Sequence, residues 1–99
     1  MISLRVLEQT GAPEILIFLL EKENSRLTDV LIFLRSKRIG QSAMYNALKL
    51  LKENKLIEDI ITDYPRSRIL KITEKGRRVA EKLLEIKQIL EEEENEDEK

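Results

Sequence analysis

The chain has 99 residues, of which 37% are charged, a formal net charge of −1, and neither cysteine nor histidine. This length fits one domain with a modest core, and the missing residue types exclude disulfide bonds, thiolate metal sites, cysteine nucleophiles and imidazole acid–base catalysis. The sequence has no long apolar segment and no signal-peptide pattern, so we expect a soluble, cytoplasmic protein.

The N-terminal segment is ambiguous between helix and strand. The apolar positions of residues 2–9 fit both, and we expect a short helix that ends at Gly11. Its role would be packing against the core or contact with a second copy of the chain.

Two amphipathic helices are predicted next. Pro13 suits a first helical turn, and apolar residues then recur at helical spacing as far as Glu23. Residues 24–25 (Asn-Ser) interrupt this pattern. A second amphipathic helix follows over residues 26–35, and residues 36–40 are predicted to form a turn.

Residues 41–54 predict a helix with two contrasting faces. Apolar residues recur three, four and seven positions apart on one face. The other face consists of Gln41, Ser42, Tyr45, Asn46, Lys49 and Lys52. A helix, a turn and a second helix form the helix-turn-helix pattern, whose second helix enters the DNA major groove. Any amphipathic helix has a polar face, but these mostly short or rigid hydrogen-bonding side chains suit base edges better than solvation alone.

Residues 57–72 predict a β-hairpin. Apolar, largely β-branched runs flank a loop at residues 63–67 that contains Pro65. We interpret the hairpin as a wing, because Arg66 and Arg68 near its tip suit phosphate contacts or a narrow minor groove. The alternative is an exposed loop that merely tolerates charge.

Residues 74–93 predict a long final helix. Thr73 suits its N-cap, and Glu74 complements the helix dipole. At ~1.5 Å per residue the helix spans roughly 30 Å, which is longer than a small core needs. An apolar stripe runs along it and consists of Val79, Leu83, Ile86 and Leu90. We expect this stripe to form a homodimer interface, since exposed stripes of this size are rarely left uncovered.

The alternative for this stripe is packing within the chain, with Ala80, Leu84 and Ile89 facing the core. Together the elements predict a winged helix-turn-helix domain over residues 1–90, mainly α with a small β-hairpin and a long C-terminal dimerisation helix. Residues 91–99 form an acidic tail that we expect to be disordered, because like charges repel and no apolar residue anchors it.

Basic charge is concentrated in the two segments that would contact DNA. Residues 91–99 contain seven acidic side chains and one basic one, so the remainder has 17 basic and 12 acidic side chains, a net charge of +5. Residues 35–55 and residues 64–78 each carry six basic side chains and one acidic side chain. This distribution favours nucleic-acid binding, although ordinary solvated charge is the alternative.

Two phrases resemble winged-helix transcriptional regulators of the MarR and PadR type, especially small archaeal ones. YNALKLLKENKLI at residues 45–57 looks like their recognition helix and its exit into the wing, and ITEKGR at residues 72–77 looks like the start of their last helix. The resemblance covers about residues 12–90. These regulators usually have glycine where this chain has Lys55, so either the turn is less tight or Asn54 is left-handed.

The resemblance implies a set of DNA contacts. Gln41, Ser42, Tyr45, Asn46 and Lys49 would meet the major groove, Arg66 and Arg68 the minor groove or backbone, and Arg38 and Lys52 the phosphates. The chain lacks the extra helices that line the effector pocket of many MarR proteins, so a small-molecule effector is left open. The resemblance does not extend to metal-sensing regulators, since histidine and cysteine are absent, and no cofactor is expected. The composition, rich in Ile, Leu, Lys, Glu and Arg, is typical of heat-adapted proteins.

The resulting prediction is a homodimeric transcriptional regulator that binds double-stranded DNA in a sequence-specific way, with its recognition helices about 34 Å apart. The alternatives are an architectural chromatin protein that binds many sequences alike, and a winged-helix module for protein–protein interaction. We do not expect an enzyme, because Glu58, Asp59 and Asp63 have neither a partner base nor metal-ligand spacing and are interpreted as solvated acids.

Overall fold

The computed structural model describes residues 4–63 and 66–97, with side chains at residues 4–62 and 67–92. The elements in chain order are α1 (Arg5–Glu8), α2 (Ala12–Lys22), β1 (Asn24–Arg26), α3 (Leu27–Ser36), α4 (Gln41–Glu53), β2 (Ile57–Asp63), β3 (Arg66–Ile72) and α5 (Glu74–Asp97). Within these residues no helix is both long and apolar enough to cross a membrane.

The predicted helices are all present, with small differences at their ends. Gly11 does not end the first helix as predicted, because α1 already ends at Glu8 and Gly11 precedes α2 as its N-cap. The φ angle of Gly11 is 95°, a left-handed conformation that glycine adopts without strain. The last helix continues to Asp97, beyond its predicted end at about residue 93. Disorder of the acidic tail stays a prediction.

The predicted two-stranded hairpin is part of a three-stranded antiparallel sheet in the order β1-β3-β2. Asn24 and Ser25, interpreted from the sequence as a break between helices, belong to β1 and lie opposite Lys71 and Leu70 of β3. A three-residue strand is too short for an alternating pattern to be visible in the sequence. Its formation depends on hydrogen bonds that the β3 backbone supplies from a distant part of the chain.

The prediction of a loop over residues 63–67 is wrong, because both strands extend into this range. Asp63 of β2 pairs with Arg66 of β3, and Thr62 pairs with Ser67. The hydroxyl oxygens of Thr62 and Ser67 lie 3.1 Å apart, and the Ser67 amide donates to the Thr62 hydroxyl at 3.2 Å. These cross-strand hydrogen bonds support the ladder close to the tip, where polar residues alone predict a loop.

A single hydrophobic core joins the helices to one face of the sheet. Its largest fully buried side chains are Ile15, Leu16, Leu19, Val30, Leu34, Met44, Leu51 and Leu70. The apolar stripe of α4 therefore faces inward, as its spacing predicts, and its polar face is turned outward. At about 25 cal/mol per Å² of apolar surface, burial of one such side chain contributes about 1.5–3 kcal/mol.

The start of α5 is tied to the residues that follow α4. The Thr73 amide donates to the Leu56 carbonyl oxygen at 3.1 Å, and the Thr73 hydroxyl donates to the Lys55 carbonyl oxygen at 2.8 Å. The Gly76 amide donates to the Thr73 hydroxyl oxygen at 2.9 Å, which confirms Thr73 as the predicted N-cap. The backbone amide and the side-chain hydroxyl of Thr73 therefore connect the start of α5 to the turn that follows α4.

The left-handed residue after α4 is Lys55, with a φ of 60°, whereas Asn54 has a φ of −90°. The alternative of a left-handed Asn54 is therefore wrong. This conformation is about 1–2 kcal/mol less favourable for a residue that has a Cβ. We expect Lys55→Gly to raise the free energy of unfolding by about 0.5–1 kcal/mol, the part of this strain that remains after glycine's larger unfolded-state entropy. Urea denaturation measures the change.

Lys55→Ala is the matched control for this prediction. It removes the same side chain as Lys55→Gly but retains a Cβ in the left-handed conformation. The glycine variant should therefore be more stable than the alanine variant. Equal stability of the two variants would show that the backbone strain at Lys55 is no larger than the entropy cost of glycine.

Candidate nucleic-acid interface

The outward face of α4 carries the predicted base-contacting side chains. Gln41, Ser42, Tyr45, Asn46 and Lys49 are all exposed. Their orientation follows from burial of Met44, Ala47, Leu48 and Leu51 on the opposite side of the helix. The hydrogen-bonding groups predicted from the sequence therefore lie together on one accessible surface.

The N-terminal end of α4 suits an anion. Gly40 is its N-cap, no side chain makes a capping hydrogen bond there, and its first turn contains no acidic residue. The first amides of a helix have no partner within the helix, and the helix dipole adds partial positive charge. Arg38 lies exposed in the preceding turn, with a φ of 62°. This end of α4 can therefore bind a phosphate, as the sequence predicts for Arg38.

Two predicted DNA-contacting side chains, Lys52 and Arg68, form ion pairs with Asp59 of β2. Lys52 Nζ lies 3.2 Å from Asp59 Oδ2. Arg68 donates to the same carboxylate through Nε, at 3.3 Å from Oδ1, and through Nη2 to Oδ2. The interpretation of Asp59 as a solvated acid is wrong, since its side chain is only 16% exposed. Both cations therefore bind the carboxylate of one acidic residue.

The Asp59 carboxyl group is ionised at neutral pH, because its pKa lies below the usual value. The hydrogen bond from Arg68 is the largest influence on Asp59 and lowers the pKa of its carboxyl group. Partial burial of the carboxyl group opposes this effect, and the hydrogen bond from Lys52 lowers the pKa further. The same bond raises the pKa of Arg68, to which Tyr45 of α4 makes a small electrostatic contribution. The Lys52–Asp59 ion pair connects α4 to β2, and the Arg68–Asp59 ion pair connects β2 to β3.

Sequence reasoning missed Asp59 because its partners lie on other elements. The register of the hairpin would have revealed the Asp59–Arg68 pair, because this register places both residues on the same face of the wing. Arg66 belongs to β3, but its side chain lies outside the described residues, and its predicted contact stays a prediction. Among the described residues no group of three or more acidic side chains could hold a metal ion.

A second surface runs along α5. The predicted stripe begins with Val79 and Leu83, which are half-buried against the core, and continues to Ile86 and Leu90, which are 53% and 60% exposed. An apolar groove lies between this helix and α1. Its apolar lining consists of Leu4, Leu7, Val79, Leu83 and Ile86.

The other apolar residues of α5 divide between core and solvent. Ala80 is buried and Leu84 is half-buried, as the alternative of packing within the chain requires, but Ile89 is 57% exposed and does not face the core. All side chains at residues 85–92 are exposed, because α5 extends past the elements on which its first turns pack.

Solved structures match the chain, whereas no protein-family model and no curated protein sequence does. A PadR family transcription regulator from Clostridium difficile is 20% identical over 90% of this chain and 100% of its own, with a TM-score of 0.72. A transcriptional regulator from Clostridium thermocellum is 21% identical over 97% of both chains, with a TM-score of 0.68. A MarR family regulator from Silicibacter pomeroyi is 24% identical over 82% of this chain and 53% of its own, with a TM-score of 0.61.

These similarities concern the fold, and they agree with the elements that surround the site. α3 and α4 form a helix-turn-helix, β2 and β3 form the hairpin that follows it, and α5 completes the order expected from the two sequence phrases. The chain therefore has the winged-helix fold found in transcriptional regulators of the PadR and MarR families.

Proposed function

We propose that the chain is a transcriptional regulator that binds double-stranded DNA in a sequence-specific way as a homodimer. In this proposal residues 1–90 form the DNA-binding domain. The recognition helix α4 enters the major groove, and the wing formed by β2 and β3 contacts the minor groove or the phosphate backbone.

The observation that carries this proposal is the exposed face of α4. Gln41, Ser42 and Asn46 can donate and accept hydrogen bonds at base edges, and Asn suits bidentate contact with adenine. Lys49 adds a cation on the same face, and the uncapped helix N-terminus adds a phosphate site. A protein-interaction module would more often carry acidic or apolar residues here.

The homodimer is supported by the surface along α5. An apolar groove beside α1 and the exposed Ile86 and Leu90 together form an unpartnered apolar strip on a highly charged chain. A second copy of α5 would supply a matching strip about a twofold axis. Two recognition helices held about 34 Å apart would then read two half-sites of a near-palindromic sequence.

Selection of bound duplexes from a random pool tests the function directly. Enrichment of a symmetric motif is expected. Tight binding at low salt without any enrichment would support the architectural chromatin protein instead, and an absence of DNA binding would overturn the proposal in favour of a protein-interaction module.

The salt dependence of binding is a second test of the same proposal. About 4 phosphate contacts in each protomer give a slope of log affinity against log salt concentration near −7 for the dimer. Fluorescence anisotropy with the selected duplex, measured at several salt concentrations, gives this slope. A flat response would contradict an interface built on phosphate contacts.

Asn46→Ala is expected to lower the affinity for the selected duplex by about 1–3 kcal/mol while changing the affinity for random duplex little, because Asn46 would bind a base edge. Arg38→Ala is the control, since Arg38 is exposed and would contact a phosphate, so its loss should weaken both duplexes alike and reduce the salt slope. Competition binding measures both variants. Uniform weakening by Asn46→Ala would show that Asn46 does not read sequence.

A further inference from the structure

The inner face of the wing continues from the core towards the tip. Residues paired across an antiparallel ladder share one face. Ile57 pairs with Ile72 and Asp59 pairs with Leu70, and the three apolar residues are buried. Arg68 lies two residues before Leu70 and therefore on the same face, nearer the tip. Asp59 thus occupies the point where the buried part of the wing ends and its accessible part begins.

The Asp59 carboxylate joins two separate elements of the proposed interface. One oxygen receives Lys52 Nζ of α4 at 3.2 Å, and both oxygens receive Arg68 of β3. The carboxylate is 16% exposed, whereas the side chains of Lys52 and Arg68 are 37% and 43% exposed. The acid therefore lies beneath the two cations, and the cations face the solvent.

Both cations retain free hydrogen-bonding capacity in this arrangement. A guanidinium group has five N–H donors and an ammonium group has three. Arg68 uses Nε and one N–H of Nη2 on Asp59. The outer edge of the guanidinium, with its remaining N–H groups, has the fork geometry that binds a phosphate.

We propose that Asp59 is a positioning residue for DNA recognition, which holds Arg68 of the wing and Lys52 of α4 at a fixed separation so that both contact one stretch of DNA backbone. This inference rests on the proposed function. Arg and Lys side chains lose conformational entropy when they are ordered on binding, and this loss weakens affinity. Asp59 orders both side chains before DNA arrives, and it fixes the wing relative to the helix that reads the bases.

Asp59 also has an opposing effect, because a carboxylate beneath the interface repels phosphates. That repulsion acts on every duplex alike, whereas correct positioning matters only where α4 is in register with its site. The ratio of the two affinities, for selected duplex over random duplex, therefore isolates the positioning role. A purely structural role of Asp59 would leave this ratio unchanged.

The test compares Asp59→Asn with the unaltered chain on the duplex enriched from the random pool and on a random-sequence duplex of the same length. We expect Asp59→Asn to lower the ratio of affinities about tenfold, because the Lys52 and Arg68 side chains would then have to be ordered when DNA binds. Arg68→Lys is expected to lower the ratio similarly, because a lysine keeps the charge but cannot span both carboxylate oxygens.

Glu58→Gln is the matched control. Glu58 neighbours Asp59 on the same strand, is exposed, and lies on the opposite face of the wing, so the substitution changes the charge equally without touching the cluster. The Glu58→Gln variant should have the same ratio of selected-duplex to random-duplex affinity as the unaltered chain. Circular dichroism melting of each variant confirms that the compared proteins are folded.

The outcomes separate this inference from the function on which it rests. If Asp59→Asn raises both affinities and leaves the ratio unchanged, Asp59 only repels phosphates and the inference is overturned while the function stands. If Glu58→Gln lowers the ratio as much as Asp59→Asn, the effect is one of charge and the inference is again overturned. If the unaltered chain binds neither duplex, the proposed function fails, and this inference fails with it.

Discussion

Gly76→Ala is expected to lower the free energy of unfolding by about 3 kcal/mol, because a Cβ at this position cannot be accommodated. It would lie 2.0 Å from the Leu56 carbonyl oxygen and 2.9 Å from the Leu56 carbonyl carbon. These are backbone atoms, so no side-chain rotation relieves the clash. The same Leu56 oxygen accepts the Thr73 amide, so a shift of α5 would also break the bond that sets the start of this helix.

Gly40→Ala is the control for Gly76→Ala. Gly40 has a φ of −69°, and a Cβ added there would meet nothing within 4 Å. Its replacement is therefore expected to lower the free energy of unfolding by about 1 kcal/mol or less, because an N-cap favours glycine over alanine. Urea denaturation followed by circular dichroism measures both variants. Similar stability of the two would show that α5 can move away from Leu56 at little cost.

Ile86→Glu combined with Leu90→Glu is expected to convert the proposed dimer to a monomer and to weaken binding of the selected duplex about a hundredfold or more. Both side chains are more than half exposed in the single chain, so the substitutions do not disturb its core. In a dimer they would bring like charges together in an apolar interface, which is strongly unfavourable. DNA affinity is lost because a monomer binds only one half-site. In a dimer, binding of the first half-site holds the second subunit close to the other half-site, which raises its effective concentration there.

Gln88→Glu is the control for the dimer prediction. Gln88 is exposed and lies about 200° around the helix from Ile86, away from the stripe, while its substitution adds the same charge as one of the test changes. Sedimentation equilibrium measures the mass, and anisotropy measures the DNA affinity. A dimer that survives the double substitution would place the interface elsewhere, and a monomer that still binds the selected duplex fully would separate binding from dimerisation.

The helices and their buried faces were predictable because helical periodicity is a local property. In α4, the spacing of Met44, Ala47, Leu48 and Leu51 shows which side packs, and the exposed hydrogen-bonding face follows from it. The start of α5 was likewise predictable, since Thr73 is the N-cap that the sequence predicts. These features need no knowledge of any distant part of the chain.

Other features depend on contacts between separate elements. β1 forms because β3 supplies its hydrogen-bond partners. Gly76 is required because Leu56 approaches its backbone, a closeness that no local pattern reveals. The strain at Lys55 comes from the path of the chain out of α4, where the sequence left two conformations open.

The sequence by itself determined the winged-helix order of elements, the exposed hydrogen-bonding face of α4, and the apolar stripe of α5. Tertiary structure alone decided how the basic side chains are used, since Arg68 meets Asp59 only in the register of the hairpin, and Lys52 meets Asp59 only when the hairpin folds against α4. The physical reason is that burial follows from periodicity along one element, whereas a salt bridge between elements requires their register and distance. The amphipathic pattern of α4 was therefore visible in the sequence, and the ion pairs that connect α4 to the hairpin were not.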